Sequence, residues 1–153
     1  MTESPSETLA VLKVAPIEDA DVAQVVALWQ ACDLTRPWND PEADIAFARR
    51  GTNATILLGR DGDNIVASAM VGHDGHRGWV YYVAVDPDRR QQGLGRAIMN
   101  AAEDWLRQRG IPKMQLLVRP ENTRVQAFYE SIGYDEQERI IYAKWLDGRD
   151  MTP

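Results

Sequence analysis

A single cysteine, Cys32, stands in a chain of 153 residues, so no disulfide closes within it and no zinc site built on cysteines forms. Such poverty in thiols suits a reducing compartment. No apolar run approaches the roughly 20 residues of a membrane-spanning helix. Met1 to Thr8 is polar and acidic, without the basic start and apolar stretch of a secretory signal. Positive charge is in deficit as well: 17 Lys and Arg against 23 Asp and Glu give a net charge of −6. Nucleic-acid binders ordinarily carry a basic face, so the balance argues against one. An acidic surface instead favours a cationic acceptor such as an amine. These absences lead us to expect a cytoplasmic protein with neither a membrane nor a nucleic acid as partner.

What is present is ordinary for a globular fold. Hydrophobic residues make up 44% and charged residues 26%, and the length suits one domain with a sizeable core. We expect a flexible tail over 1–8, a single domain over 9–148 and a short C-terminal tail over 149–153. No repeat, low-complexity stretch or internal linker interrupts the domain.

Leu9 to Val14 reads as a first strand. Asp19 then sits as an N-cap before Val22, Val25, Val26 and Trp29, which recur at helical spacing. Asp40 and Pro41 read as N-cap and first residue of a second short helix reaching about Arg50. Ala54–Gly59 and Ile65–Val71, joined by Asp61-Gly62-Asp63-Asn64, form an expected hairpin. That turn lacks the remaining ligands of a calcium loop. After the loop Gly72–Gly78, the run Trp79–Val85 is dense in aromatic and β-branched residues, as in a strand buried on both faces.

Gly95–Arg109 places Ala97, Ile98, Ala101, Ala102, Trp105 and Leu106 on one helix face, with Gly110 as the stop. Met114–Val118 is expected as a strand, Asn122–Ile132 as a helix closed by Gly133, and Arg139–Trp145 as a final strand. A further short strand is expected around Tyr134–Gln137. Hairpins mixed with βα units imply an α/β (α+β layered) domain. Its sheet should be mixed, mostly antiparallel and six- or seven-stranded, flanked by about four helices. Trp29, Trp105 and Trp145 fall at core spacing, and the lone Cys32 at a helix end reads as buried packing.

The chemistry concentrates in Val83-Ala84-Val85-Asp86-Pro87-Asp88-Arg89-Arg90-Gln91-Gln92-Gly93-Leu94-Gly95-Arg96. Here a strand runs into a loop that opens a long helix. Unpaired N–H groups at a helix N-terminus attract anions. Gly93 and Gly95 let a phosphate approach the backbone, and Arg89, Arg90 and Arg96 add positive charge. The ligand so indicated is a pyrophosphate. A Walker loop would need Gly-Lys-Ser/Thr, but Arg96-Ala97 follows Gly95. A dinucleotide fingerprint would need Gly or Ala where Ile98 stands.

Arg90-Gln91-Gln92-Gly93-Leu94-Gly95 does resemble the Arg/Gln-x-x-Gly-x-Gly/Ala loop of the GNAT N-acetyltransferase superfamily. About 30 residues on, Asn122 leads into Ala127-Phe128-Tyr129-Glu130-Ser131-Ile132-Gly133-Tyr134. This resembles that family's Asn-x-x-Ala-x-x-Phe-Tyr-x-x-x-Gly-Phe/Tyr helix, except that Ala127 comes five residues after Asn122. The likeness is close over about residues 79–134. Leu34-Thr35-Arg36-Pro37-Trp38-Asn39-Asp40-Pro41 and Ile141-Tyr142-Ala143-Lys144 narrow it to the small bacterial YpeA-type acetyltransferases.

The resemblance implies acetyl transfer from acetyl-CoA to a primary amine of a small molecule or protein, by direct attack in a ternary complex. It implies a cofactor splayed between the strands at 79–85 and 113–118. Val83, Ala84 and Val85 would line the pantetheine arm, and Arg90, Gln91, Gln92, Gly93, Leu94, Gly95 and Arg96 the pyrophosphate. An N–H near Val85 would polarise the thioester carbonyl. Asn122 would bind near the pantetheine, and Tyr129 would protonate the departing thiolate. Homodimers are common among proteins resembling this one.

Two features complicate that scheme. Many family members carry a Glu or His on the strand before the Gly loop. Here alternation puts Trp79, Tyr81, Val83 and Val85 on one face, and Tyr81 alone among them can relay a proton. His73 and His76 read as surface loop residues. The acceptor pocket, which the family builds from its first two helices, would draw on Arg36, Trp38, Asn39, Asp40 and Asp44, with Trp79 and Tyr81 beside them. Trp38 offers a π face to a cation and Asp40 a carboxylate, although Asp40-Pro41 also reads as a plain helix start. A non-catalytic acyl-CoA sensor and an interaction protein without ligand are the competing classes. No residue is placed to form a metal centre or an acyl-enzyme.

Overall fold

A computed structural model describes residues 12–150. The chain divides between Leu117 and Val118 into two compact units. The expected tail over 1–8, and Leu9 to Val11 of the first expected strand, lie outside the described residues, as do 151–153.

The first unit contains β1 (Leu12–Pro16), α1 (Val22–Ala31), α2 (Pro41–Ala48), β2 (Ala54–Asp61), β3 (Asn64–His73), β4 (Gly78–Val85), α3 (Leu94–Arg107) and β5 (Met114–Gln115). Short 3-10 turns at Asp19–Asp21 and Pro87–Arg89 precede α1 and the Gly loop. The strands lie in sequence order, antiparallel from β1 to β4, with β5 added in parallel. The β2–β3 hairpin pairs Asp61 with Asn64 around Gly62 and Asp63. Gly62 takes φ 62°, the left-handed conformation that a two-residue hairpin turn demands.

Opposed residues in an antiparallel ladder share a face. One face of the sheet carries Ile56, Leu58 and Ala84, which pack with Val25, Leu28 and Trp29 of α1 and with Ile45 and Ala48 of α2. Each such large apolar side chain contributes roughly 1.5–3 kcal/mol on full burial. The other face meets α3, whose Ile98, Met99, Ala102 and Leu106 are buried. The approach is tight at Gly78, where an added Cβ would lie 2.4 Å from Leu106 Cδ1.

Several boundaries differ from expectation. Asp19 is not the cap of α1: it begins the 3-10 turn, and its carboxylate pairs with Arg49 at 2.7 Å. The turn is closed instead by Asp21, whose Oδ2 accepts from the Glu18 N–H at 2.9 Å. Asp40 does cap α2, its Oδ1 accepting from the N–H groups of Glu42 and Ala43. β4 is not buried on both faces, since Tyr81 is 48% exposed. Helix α3 starts one residue earlier than expected, and Gly110 turns the chain after it at φ 75°. The strand expected over Met114–Val118 pairs only through Met114 and Gln115.

Trp29 is fully buried, but Trp105 and Trp145 are only half-buried. Each carries an arginine on its ring, Arg109 at 3.6 Å and Arg149 at 3.8 Å, so neither belongs to a core.

The second unit holds α4 (Thr123–Ser131). Gly133 ends it at φ 99°, and the Tyr134 N–H returns to the Tyr129 carbonyl at 3.0 Å. The strands expected at Tyr134–Gln137 and Arg139–Trp145 are absent among the described residues, which makes the sheet five-stranded instead of six- or seven-stranded. Ile140 and Tyr142 are 82% and 90% exposed. Alternation makes a segment suited to a sheet, but only a ladder partner makes it a strand, and this stretch has none.

Candidate active site

Strand β4 does not run regularly. Its register against β3 shifts by one residue between the pairs Met70↔Tyr81 and Ser68↔Ala84, so Tyr82 and Val83 together face one position of β3. This is a β-bulge, and Tyr82 within it takes φ 52°, a conformation uncommon for any residue but glycine. The bulge overturns the expected face of Trp79, Tyr81, Val83 and Val85. Trp79, Tyr81 and Ala84 now share the face of α1 and α2, whereas Val85 shares the opposite one with Gly78 and Val80. The signal was invisible because no glycine or proline marks the position.

Beyond the bulge, the Asp86 N–H donates to the Val66 carbonyl at 2.8 Å. Alternation then turns the Ala84 backbone toward β3, and the N–H and C=O groups of Val83 and Val85 away from it. β5 pairs with β4 only at Gly78↔Met114 and Trp79↔Gln115. The outer edge of β4 from Tyr81 to Val85 is therefore left open by β5. An open strand edge with regularly spaced donors and acceptors accepts an extended, amide-bearing chain as an additional strand.

The edge runs into the glycine loop. Asp86 Oδ1 accepts from the Asp88 N–H at 2.9 Å and starts the 3-10 turn. Gln91 at φ 64° and Gly93 at φ 76° then bend the backbone twice through the left-handed region. Turns of this kind gather N–H groups into an anion-binding concavity. Helix α3 begins at Leu94, and its first backbone bond runs from the Ala97 N–H to the Gly93 carbonyl. The N–H groups before Ala97 lie at the positive end of the helix dipole.

Leu94 is buried and anchors the turn, while Arg90, Gln91 and Arg96 are exposed beside it. Arg89 serves differently from the charge donor expected. Its guanidinium holds Gln92 Oε1 at 2.9 Å and Asp61 Oδ2 at 2.8 Å, fastening the loop to the β2–β3 turn. The residues present thus fit a diphosphate-bearing ligand with an extended amide arm.

On the face of α1 and α2, a buried network surrounds the bulge. Tyr82 stacks on Trp29 with ring centroids 3.8 Å apart and planes 8° from parallel. Trp29 Nε1 donates to Ser68 Oγ at 2.8 Å, and Ser68 Oγ donates to the Tyr82 carbonyl at 3.0 Å. The Tyr82 hydroxyl donates to Asp44 Oδ2 at 2.7 Å. Burial and that carboxylate push the Tyr82 phenol well above its ordinary value. Cys32 caps α1 and is half-buried, its thiol donating to the Val85 carbonyl at 3.2 Å. Neither Tyr82 nor Ser68 stood out in the sequence.

The expected acceptor residues are placed as follows. Tyr81 projects from the α1–α2 face, and burial raises its phenol above 10.0, which makes it a donor and not a base. Trp79 shares that face and donates from Nε1 to Asp74 Oδ2 at 3.3 Å. Arg36 folds back on its own loop, donating to the carbonyls of Asp33 and Thr35. Asp40 is occupied in capping α2, and Trp38 is half-buried. His73 and His76 lie at the β3–β4 turn, where His73 Nδ1 accepts from the Gly75 N–H. Among the described residues no group of three or more potential metal ligands occurs.

In the second unit, Asn122 caps α4, its Oδ1 accepting from the Val125 N–H at 3.3 Å. Tyr129 is half-buried between Phe128 and Tyr134, whose rings meet it edge-on at 5.0 and 5.8 Å. Burial pushes its phenol up to about 12.

Comparison with known proteins agrees with this architecture. Residues 23–134 match the acetyltransferase (GNAT) family. An acetyltransferase of Yersinia enterocolitica is 38% identical over 135 residues, covering 88% of this chain and 96% of its own. A ribosomal-protein alanine N-acetyltransferase of Escherichia coli is similar in structure, with 27% identity, a TM-score of 0.68, and 90% and 87% of the two chains covered. The aminoglycoside N-acetyltransferase AAC(6')-Iy, solved with CoA, shares the fold at a TM-score of 0.76 and 18% identity, covering 88% of this chain and 95% of its own. Among the described residues no helix is long and apolar enough to cross a membrane.

Proposed function

This chain belongs to the GNAT acetyltransferase family, and on that premise we propose that it transfers the acetyl group of acetyl-CoA to a primary amine by direct attack in a ternary complex. It is an acyltransferase with acetyl-CoA as cosubstrate. The observation that carries the reading is the open β4 edge at Tyr81–Val85 running into the left-handed loop at the start of α3.

On this reading the chain's residues take the following roles. N–H groups of the Gln91–Gly95 loop bind the pyrophosphate, and backbone groups of Val83 and Val85 bind the amide arm. The amine nitrogen forms a bond to the thioester carbonyl carbon as the C–S bond breaks. Negative charge developing on the carbonyl oxygen is stabilised by an N–H of the bulged edge. The resemblance to the family's Asn/Tyr helix assigns the proton for the departing sulfur to the Tyr129 hydroxyl, and the attacking nitrogen loses its proton to water. The same motif assigns Asn122 to the pantetheine arm or to an ordered water beside it. With no carboxylate or imidazole at positions 79, 81, 83 or 85, the amine is best delivered already neutral.

Trp79 and Tyr81, on the α1–α2 face, and the segment Arg36–Asp40 line the acceptor side. The solved relatives act on an aminoglycoside and on a ribosomal-protein alanine. Both acceptors are amines, and a net charge of −6 favours a cationic one.

The missing strand base is the one observation that favours a non-catalytic acyl-CoA sensor. Thiol release from acetyl-CoA, followed across polyamines, aminoglycosides and peptides with free N-termini, separates the two readings. Equal amounts of free CoA and acetylated amine are expected for one acceptor class. Tight acetyl-CoA binding without turnover on any amine would favour the sensor.

A further inference from the structure

We propose that Tyr82 is a positioning residue for the transfer, locking the β4 bulge so that the outward N–H groups of Val83 and Val85 meet the acetyl carbonyl in one fixed direction. The inference rests on the function proposed above and adds a residue that neither motif contains.

Tyr82 holds a backbone conformation, φ 52°, that a bulky side chain adopts only when its surroundings enforce it. Three partners do so, and they come from three different elements. The indole of Trp29 on α1 stacks flat on the ring. Ser68 on β3 donates to the Tyr82 carbonyl while accepting from Trp29 Nε1, so ring and backbone are held by one connected network. Asp44 on α2 takes the hydroxyl. Cys32, one helical turn after Trp29, holds Val85 by its carbonyl. Trp29 and the α1 cap Cys32, three residues apart, thus hold Tyr82 and Val85 of β4, which are three apart as well.

Trp29 and Ser68 are fully buried, and Ser68 is the one buried polar side chain among the described residues. A packing role alone would need only the ring. The hydroxyl and carbonyl bonds add directional constraints, and those fix the twist of the edge. The bond to Asp44 also ties the donor edge to α2, the helix that follows the acceptor segment Arg36–Asp40.

The test reads the carbonyl itself. Acetyl-CoA labelled with carbon-13 at the thioester carbonyl is bound to wild type, Tyr82→Phe, Ser68→Ala, Asp44→Ala and Asp44→Asn, and its carbonyl stretch is recorded by infrared difference spectroscopy. Affinities for acetyl-CoA and CoA are measured in parallel. A polarised carbonyl absorbs at lower frequency than free ligand. Wild type should show that shift. Tyr82→Phe and Asp44→Ala should lose most of it and at least half of the preference for acetyl-CoA over CoA, with CoA affinity itself within about two-fold. Asp44→Asn, which keeps an acceptor oxygen, should restore both.

A merely structural role would lower the melting temperature and weaken both ligands alike. Unchanged shift and preference in both Tyr82→Phe and Asp44→Ala would overturn the proposal. Wild type that binds acetyl-CoA without a carbonyl shift would overturn edge polarisation and this inference with it. Wild type that binds no acetyl-CoA would overturn the donor reading beneath both.

Discussion

The thiol of Cys32 donates to the carbonyl of Val85 at 3.2 Å, joining the C-terminal cap of α1 to the last residue of β4. The sulfur therefore stands beside the strand assigned to the donor, and its role is decided by chemistry. A nucleophilic cysteine needs a base beside it, and the bond that Cys32 makes is to a backbone carbonyl. Cys32→Ala should keep kcat within about three-fold and remain sequential in steady-state kinetics. Ping-pong kinetics in wild type, lost together with activity in the variant, would mean an acyl-enzyme.

Arg89 bridges Asp61 and Gln92. Its substitution should loosen the loop proposed to hold the pyrophosphate, without touching the reacting atoms. Arg89→Ala is expected to raise KM for acetyl-CoA by about three- to ten-fold at nearly constant kcat, the pattern of lost uniform binding. Steady-state kinetics at saturating amine checks it, and a fall in kcat with unchanged KM would contradict it.

Burial raises the Tyr129 phenol to about 12. A raised value keeps the proton on the oxygen at every pH below it, so the donor form persists through the working range. The kcat profile should rise as the amine deprotonates and show no Tyr129-dependent fall up to about pH 10. Tyr129→Phe should lower kcat roughly ten-fold with little change in acetyl-CoA affinity. A wild-type alkaline limb centred near pH 9 that vanishes in Tyr129→Phe would contradict this assignment.

Arg60 holds the Asp21 carboxyl below its ordinary 3.8, with a further bond from the Glu18 N–H. A depressed folded-state pKa contributes stability that is present above the unfolded value and lost as pH falls through the folded one. Asp21→Asn should cost about 1 kcal/mol or less at pH 7. It should also flatten the dependence of unfolding free energy on pH below about 4. Denaturant titrations at pH 7 and pH 3 measure both, and an equal loss at the two pH values would remove the ion pair from the account.

The sequence revealed most where a residue's covalent nature dictates its conformation. Asp40-Pro41 could begin a helix and does. Gly62, Gly110 and Gly133 mark turns that need left-handed backbone. The glycine loop and the Asn122 cap stand where the motifs put them. Features that depend on partners were hidden. The bulge at Tyr82 arises from Trp29, Ser68 and Asp44, residues 14 to 53 positions away in sequence, and period-two reading carried Val83 and Val85 onto the wrong face. Arg139–Trp145 has the composition of a strand, yet composition supplies no neighbour to pair with. Arg89 read as free positive charge near the loop because charge is legible in a sequence and the Asp61 that engages it is not.

The central claim is that the β4 edge and the loop at Gly93–Gly95 bind acetyl-CoA. Isothermal titration of the folded protein with acetyl-CoA, against ATP and NAD, tests it most directly, with Gly95→Asp as the variant that crowds the loop and repels phosphate. Saturable binding of acetyl-CoA alone, abolished in Gly95→Asp, is the predicted result. No binding by folded wild type, or undiminished affinity in Gly95→Asp, would contradict the site.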